Sequence, residues 1–200
     1  LLNCCYDDLM DVLKQQIRIT LARHSKSVAS EEKFTPSAVL IPIFYKNGEP
    51  HLLLTLRTET VASHKGQISF PGGARDDCDR DLLATALRET FEEVGIRPED
   101  VEVLGELDDL LAVTNFVVTP FVGVFPYPYD FKVSHDEIAE LIEIPISFFV
   151  DPRNRRTEER LYRGRKVTVY FYDYGKYTVW GVTARILKGF IDLCIAPEPS

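Results

Sequence analysis

Residues Phe70 to Ile96, FPGGARDDCDRDLLATALRETFEEVGI, constrain this chain more than any other stretch. They run from a double glycine through an acidic turn into a segment of helical periodicity. Within that segment Glu89, Glu92 and Glu93 stand at i, i+3 and i+4, so a helix stacks their side chains on one face. Like charges so spaced destabilise an isolated helix by roughly 0.2–0.5 kcal/mol per pair. The trio reads either as an ordinary acidic surface or as oxygen ligands for a divalent cation. Gly95 fits a helix C-cap, and Pro98 soon after prevents continuation. Gly72 and Gly73 suit a turn that needs positive φ, or a backbone approach that a Cβ would block.

On either side the pattern alternates between sheet and helix. Residues 7 to 23 carry Leu9, Val12, Leu13, Gln16, Ile17, Thr20 and Leu21 at three- and four-residue steps, which predicts a helix. Ser25 to Pro36 reads as a linker. Ser37 to Tyr45 and His51 to Arg57 read as strands joined at an Asn47-Gly48 turn. Val101 to Leu107 and Phe116 to Phe125 add further strands, and Pro120 suggests an edge position or a bulge in the second. Tyr127 to Lys132 reads as a loop with exposed aromatic candidates. The alternation of Phe125, Tyr127, Tyr129 and Phe131 favours a half-buried strand over a platform for stacking adenine. HDEIAELIEIP fits a short helix or a strand, and Ile146 to Val150 a short turn. Arg165 to Tyr172 pairs with Lys176 to Trp180, and a helix from about Thr183 to Leu193 closes the chain. This order implies an α+β fold.

Two hundred residues make one domain, and 45% apolar with 27% charged residues fits an ordinary soluble globular protein. A net charge of -8 argues against a protein that coats nucleic acid. It is compatible with a small anionic substrate, because bound cations reverse the local sign. Cys4, Cys5, Cys78 and Cys194 form neither a disulfide framework nor a zinc pattern, so reduced thiols in a cytoplasmic protein are expected. No apolar run is long enough to span a membrane. Asp7, Asp8 and Asp11 interrupt the opening apolar residues, against a signal peptide.

Arg88-Glu89-x-x-Glu92-Glu93-x-Gly95-Ile96 resembles the core of the Nudix box, the signature of diphosphate hydrolases, with Gly72 or Gly73 opening its loop. Upstream, LLTLRTETVASHKGQISFPGG, Leu53 to Gly73, resembles the additional motif of the coenzyme A diphosphatase branch. The two motifs together cover about a fifth of the chain. The resemblance implies a Nudix fold, an α/β/α sandwich around a mixed sheet. It divides the chain into an N-terminal helix and linker, 1–33, and a Nudix domain, 34–200. It also favours the strand reading for Ala139 to Ile144.

For the chemistry, the resemblance implies Mg2+ or Mn2+ held mainly by Glu92 and Glu93, with Glu89 a further ligand or a residue that helps activate the nucleophile. The ion serves a reaction that needs charge neutralised on phosphate oxygens and an aligned water. Arg88 has the wrong charge for a ligand and is expected to pair with a carboxylate that holds the helix to the glycine loop. In many Nudix boxes an upstream glutamate takes that part. Here Arg80 occupies the slot, flanked by Asp79 and Asp81, in a loop one residue longer than the common spacing. The coenzyme A branch shares that length, and the partner stays open between Asp79 and Asp81.

Glu137 is a candidate general base or further metal contact, with His135 a weaker one; an acidic solvated face with Glu140 and Glu143 is the alternative. Arg57, His64, Lys65 and Gln67, with Gly72 and Gly73, are the expected substrate contacts, and Arg57 and Lys65 suit a 3'-phosphate. The expected partner is a coenzyme A-like diphosphate, with no nucleic acid and no membrane. The N-terminal helix either pads the fold or forms a homodimer contact. The alternatives are a Nudix hydrolase of ADP-ribose, NADH or a nucleoside triphosphate, and a nucleotide-binding Nudix module without catalysis.

Overall fold

The computed structural model describes residues 2–29, 33–59, 66–162 and 164–196. In chain order the elements are α1 (Leu2–Arg23), β1 (Thr35–Lys46), β2 (Glu49–Arg57), β3 (Ile68–Ser69), β4 (Gly72–Ala74) and α2 (Leu82–Val94). They are followed by β5 (Glu102–Glu106), β6 (Leu110–Leu111), β7 (Phe116–Val124), β8 (Ile138–Pro145) and α3 (Ile146–Val150). The last are β9 (Arg155–Tyr162), β10 (Arg165–Tyr174), β11 (Tyr177–Trp180) and α4 (Gly181–Phe190), which runs on into a π-helical turn, Ile191–Ile195.

The main sheet is mixed. β1 runs parallel to β7 and antiparallel to β2, while β8 covers the other edge of β2 and β5 and β6 pair with β7. Its central strands are buried on both faces, which is why β1 reads as a nearly unbroken apolar run. Ala38 and Leu40 pack with Ala86 of α2, and Phe44 with Leu53 and Val94. Ile41 and Ile43 point the other way, into the larger core built with Ile17 and Leu21 of α1 and Ala184, Leu187 and Phe190 of α4. The result is an α+β sandwich with α2 on one face and α1 and α4 on the other. Each fully buried large aliphatic side chain contributes about 1.5–3 kcal/mol.

Several expectations change. α1 begins earlier than residue 7, and Val12 faces solvent at 65% exposure instead of joining the stripe. Pro120 lies on an interior strand, between β1 and β5. Its carbonyl accepts from the Leu107 N–H, so its imide nitrogen faces that same side, where β5 ends and β6 has yet to begin. The missing donor thus falls in a gap of the ladder, and the bulge is in β5, between Val103 and Gly105.

The aromatics from Tyr127 to Phe131 are not a strand. They fold over Phe44 as a loop cluster, with Phe44 and Tyr127 stacked at 4.8 Å between centroids and Phe125 edge-on to Tyr129 at 5.7 Å. Ile146–Val150 is a short helix, not a turn. No period in the sequence announces β9. RRTEERLY has no apolar alternation, yet it pairs with β10 along its length in a separate three-stranded sheet, and Tyr172 and Val179 of that sheet anchor it in the core.

Candidate active site

β1 and β2 pair from Ile43 opposite Leu52 to Lys46 opposite Glu49 and then separate. The segment from Ile68 to Ala74 fills the wedge between them: Ser69 pairs with Thr55 of β2, and Gly72 with Val39 of β1. The double glycine is therefore laid on β1 directly beside α2. Gly72 adopts φ 152, and a Cβ there would lie 2.3 Å from the Ala38 carbonyl oxygen. Gly73 is small for another reason. A Cβ on it would lie 2.5 Å from the Glu89 carboxyl carbon.

α2 is fixed at both ends. Asp81 caps it, its side chain accepting from the Ala84 N–H, and Gly95 closes it in the left-handed region. Its buried face comprises Thr85, Ala86, Thr90, Glu93 and Val94, so one glutamate of the trio stands on the core-facing stripe. Glu93 is 2% exposed. Its Oε1 accepts from Arg57 Nη1 at 2.7 Å and its Oε2 from the Gly72 N–H at 3.3 Å. Burial pushes the Glu93 carboxyl up to about 7, against the pull of Arg57 and the Gly72 N–H, and Glu89 adds to the push. Burial also raises Glu89, with Arg88 pulling it back down. Glu92 stands more open at the rim.

Arg88 is a fork set on Asp79. Its Nε and Nη2 donate to the two carboxylate oxygens, each at 3.0 Å. Its Nη1 donates to Glu89 at 2.7 Å and to Glu92 at 3.0 Å, and Nη2 also reaches the Ala74 carbonyl at 3.3 Å. Asp79 further accepts from Thr85 Oγ1 and the Asp76 N–H. The Arg88 guanidinium holds the Asp79 carboxyl well below the ordinary carboxylate range. The partner of Arg88 is Asp79, and Asp81 serves as the helix cap.

Arg57, at the end of β2, lies between Glu93 and Glu137, whose Oε2 is 3.4 Å from Arg57 Nη2. Glu137 sits in the turn before β8 and its carbonyl accepts from the Thr58 N–H; neighbouring His135 is exposed. The Gln67 carbonyl accepts from the Arg57 N–H at 3.0 Å. His64 and Lys65 lie outside the described residues. The fold thus gathers Glu89, Glu92, Glu93, Arg88, Glu137, Arg57, Gly72 and Gly73 in one cleft. Spacing gave no sign of two further features, the pairing of Arg57 with Glu93 and the burial of Glu93.

The donors offered to a cation are carboxylate oxygens, a hard set suited to Mg2+ or Mn2+. The space vacated by the missing Cβ of Gly73 is filled by the Glu89 carboxylate, so the turn is shaped around a ligand candidate. Among the described residues no three acidic, histidine or cysteine side chains form a ready-made cage. Two arginines hold the carboxylates instead. The donor chemistry fits the metal ion that the fold implies.

The sequence model of the NUDIX domain matches residues 34–143. The chain is 43% identical over 152 residues to the protein described as uncharacterized Nudix hydrolase NudL of Cronobacter sakazakii, covering 76% of this chain and 79% of that one. The corresponding NudL of Enterobacter sp. strain 638 is 37% identical over 183 residues, covering 92% and 93%. Among solved structures, a MutT/nudix family protein from Enterococcus faecalis superposes with a TM-score of 0.52 over 88% of this chain and 72% of that one, at 16% identity. Fold, acidic cleft and these matches define a hydrolase acting on pyrophosphate bonds. The chain belongs to the Nudix hydrolase family.

Proposed function

We propose that this enzyme cleaves the diphosphate of coenzyme A or its thioesters, giving 3',5'-ADP and 4'-phosphopantetheine or its acylated form. The observation that carries this reading is the meeting of two motifs at one carboxylate. Arg57, from the segment that resembles the coenzyme A branch, and Gly72, from the glycine turn, both donate to Glu93 of the box. The upstream segment is thereby joined to the acidic cleft, not left as an unrelated surface loop.

Nudix hydrolases generally use divalent ions, and Glu89, Glu92 and Glu93 are assigned to hold Mg2+ or Mn2+, which supplies charge neutralisation on the nonbridging oxygens and acidifies the attacking water. The chain's own residues arrange the rest. Arg88, anchored on Asp79, restrains the Glu89 and Glu92 carboxylates. The Gly72 N–H orients Glu93. Glu137, half exposed on the opposite side of Arg57, takes the proton as water attacks phosphorus. One P–O bond forms, the bond to the bridging oxygen breaks, and two phosphate monoesters leave. Arg57 and Lys65 are the cations assigned to the substrate's phosphates, with His64 and Gln67 beside them.

The test is product analysis of the purified protein with Mg2+ or Mn2+ on coenzyme A, dephospho-coenzyme A, ADP-ribose and NADH in parallel. Release of 3',5'-ADP from coenzyme A, with slower turnover of the other three, is expected. Preference for ADP-ribose or NADH would retain the cleft chemistry and discard the coenzyme A assignment.

A further inference from the structure

We infer that Arg57 is the resident counter-cation of the metal-free cleft, a positioning residue that holds Glu93 and Glu137 until a divalent ion binds and then yields Glu93. The inference rests on the metal assignment above, and not on the choice of coenzyme A as substrate.

The two arginines of the cleft are held in different ways. Arg88 is tethered away from the glutamates: its Nε and Nη2 grip Asp79, and Nη2 also meets the Ala74 carbonyl. It can restrain Glu89 and Glu92 while staying in place. Among the described residues Arg57 has no comparable anchor: its guanidinium meets Glu93 at 2.7 Å and Glu137 at 3.4 Å, and its Nε is buried with no acceptor there. A buried, orphaned guanidinium donor costs about 1–3 kcal/mol or more. The side chain accepts that cost because a carboxylate as buried as Glu93 needs a cation beside it.

The backbone, by contrast, is pinned. The Arg57 N–H donates to Gln67, the next N–H donates to Glu137, and the β2–β8 register shifts between Leu56 and Arg57. This arrangement keeps the root of the side chain fixed while its head, among the described residues, rests on the two carboxylates. A metal ion held by Glu93 competes for the oxygen that Arg57 occupies. Once released, the guanidinium is free to meet an anionic substrate, which reconciles its present partners with the substrate role expected from the sequence.

Competition gives a signature that structural support does not. A residue that merely braces the cleft weakens metal binding when removed, whereas removal of a competitor tightens it. Mn2+ binding to wild type and Arg57→Ala, followed by the electron paramagnetic resonance signal of free Mn2+, should show a Kd lower by about tenfold in the variant, since one charge-assisted hydrogen bond no longer has to be given up. Without metal the variant should melt below wild type, and saturating Mn2+ should narrow that gap. Unchanged or weaker Mn2+ binding by the variant overturns the inference and leaves the metal assignment standing. Failure of wild type to bind Mn2+ overturns both. Should Arg57→Ala not fold, Arg57→Met keeps the apolar stem and is read in the same way. If neither variant folds even in saturating Mn2+, the inference is again overturned, because the ion should replace the guanidinium.

Discussion

At the scale of single residues, the two adjacent glycines make a sharp comparison. In Gly72→Ala the new methyl meets backbone, 2.3 Å from the Ala38 carbonyl oxygen, at a φ that L residues rarely adopt. Neither β1 nor the turn can yield cheaply, so the variant should lose about 2–4 kcal/mol of stability. Gly73→Ala has no such φ, and the atoms nearest its methyl all belong to the end of the Glu89 side chain. That carboxylate can swing aside, so thermal melting should move little while turnover falls. Melting curves and kcat for the pair check both halves. A Gly73 variant with full activity would show that the position of Glu89 does not matter to the reaction. Glu92→Gln isolates the exposed member of the trio. It removes a charge but no packing, so turnover should fall by about 10²-fold or more at unchanged melting temperature.

At the scale of elements, the box loop and α2 act as one unit because Asp79 reaches from the loop to Arg88 on the helix. Asp79 is 4% exposed at its side chain and accepts from Arg88, Thr85 and Asp76 together. Asp79→Asn removes the buried charge gripped by Nε and Nη2, leaving Arg88 only Glu89 and Glu92, met through Nη1, as charged partners. It should cost about 3 kcal/mol near neutral pH. The sign of its pH dependence follows from the lowered pKa. The stabilisation is complete above the ordinary carboxylate pKa of about 3.9 and is lost as pH falls below it toward the folded value. Melting temperatures of wild type and Asp79→Asn should therefore converge as pH drops from about 4. Parallel curves through that window would show that Asp79 is not the titrating link.

Legibility in the sequence followed the same division. Helix α2 and strands β1 and β2 were readable because apolar periodicity and turn residues report local geometry. The trio of glutamates was readable because i, i+3 and i+4 are neighbours on any helix. β9 was not, since a strand with charges on both faces carries no period to detect. Nor could spacing decide between Asp79 and Asp81, or pair Arg57 with Glu93, because both depend on how the glycine wedge seats against α2.

At the scale of the whole molecule, α1 lies outside the residues matched by the family yet belongs to the main core. Ile17 is fully buried, Leu21 packs against Gly105 of β5, and Lys14 and Arg18 both pair with Glu102. The Gln16 side chain donates to the carbonyl of Cys194 at 2.9 Å, tying the first helix to the last turn. The carboxylates proposed to hold the metal ion belong to α2, on the opposite face of the sheet, so α1 supports the fold from the far side. Ile17→Ala should then cost about 2–5 kcal/mol of stability. Its kcat should stay at the wild-type value well below the melting temperature.

Cys194 provides a local reporter of the same docking. Burial pushes its thiol up to about 12, so at pH 8 it carries little thiolate and is shielded from reagents. Cys78 is exposed in the box loop and should react with a maleimide well before Cys194. In wild type, peptide mapping should find Cys194 protected long after Cys78 is modified; in Ile17→Ala that protection should shorten as α1 opens. Equal protection of Cys194 in both proteins would mean that α1 does not close over the last turn. A fall in kcat alongside faster labelling would mean that strain at α1 reaches across the sheet to α2, and that the two faces of the sandwich are coupled.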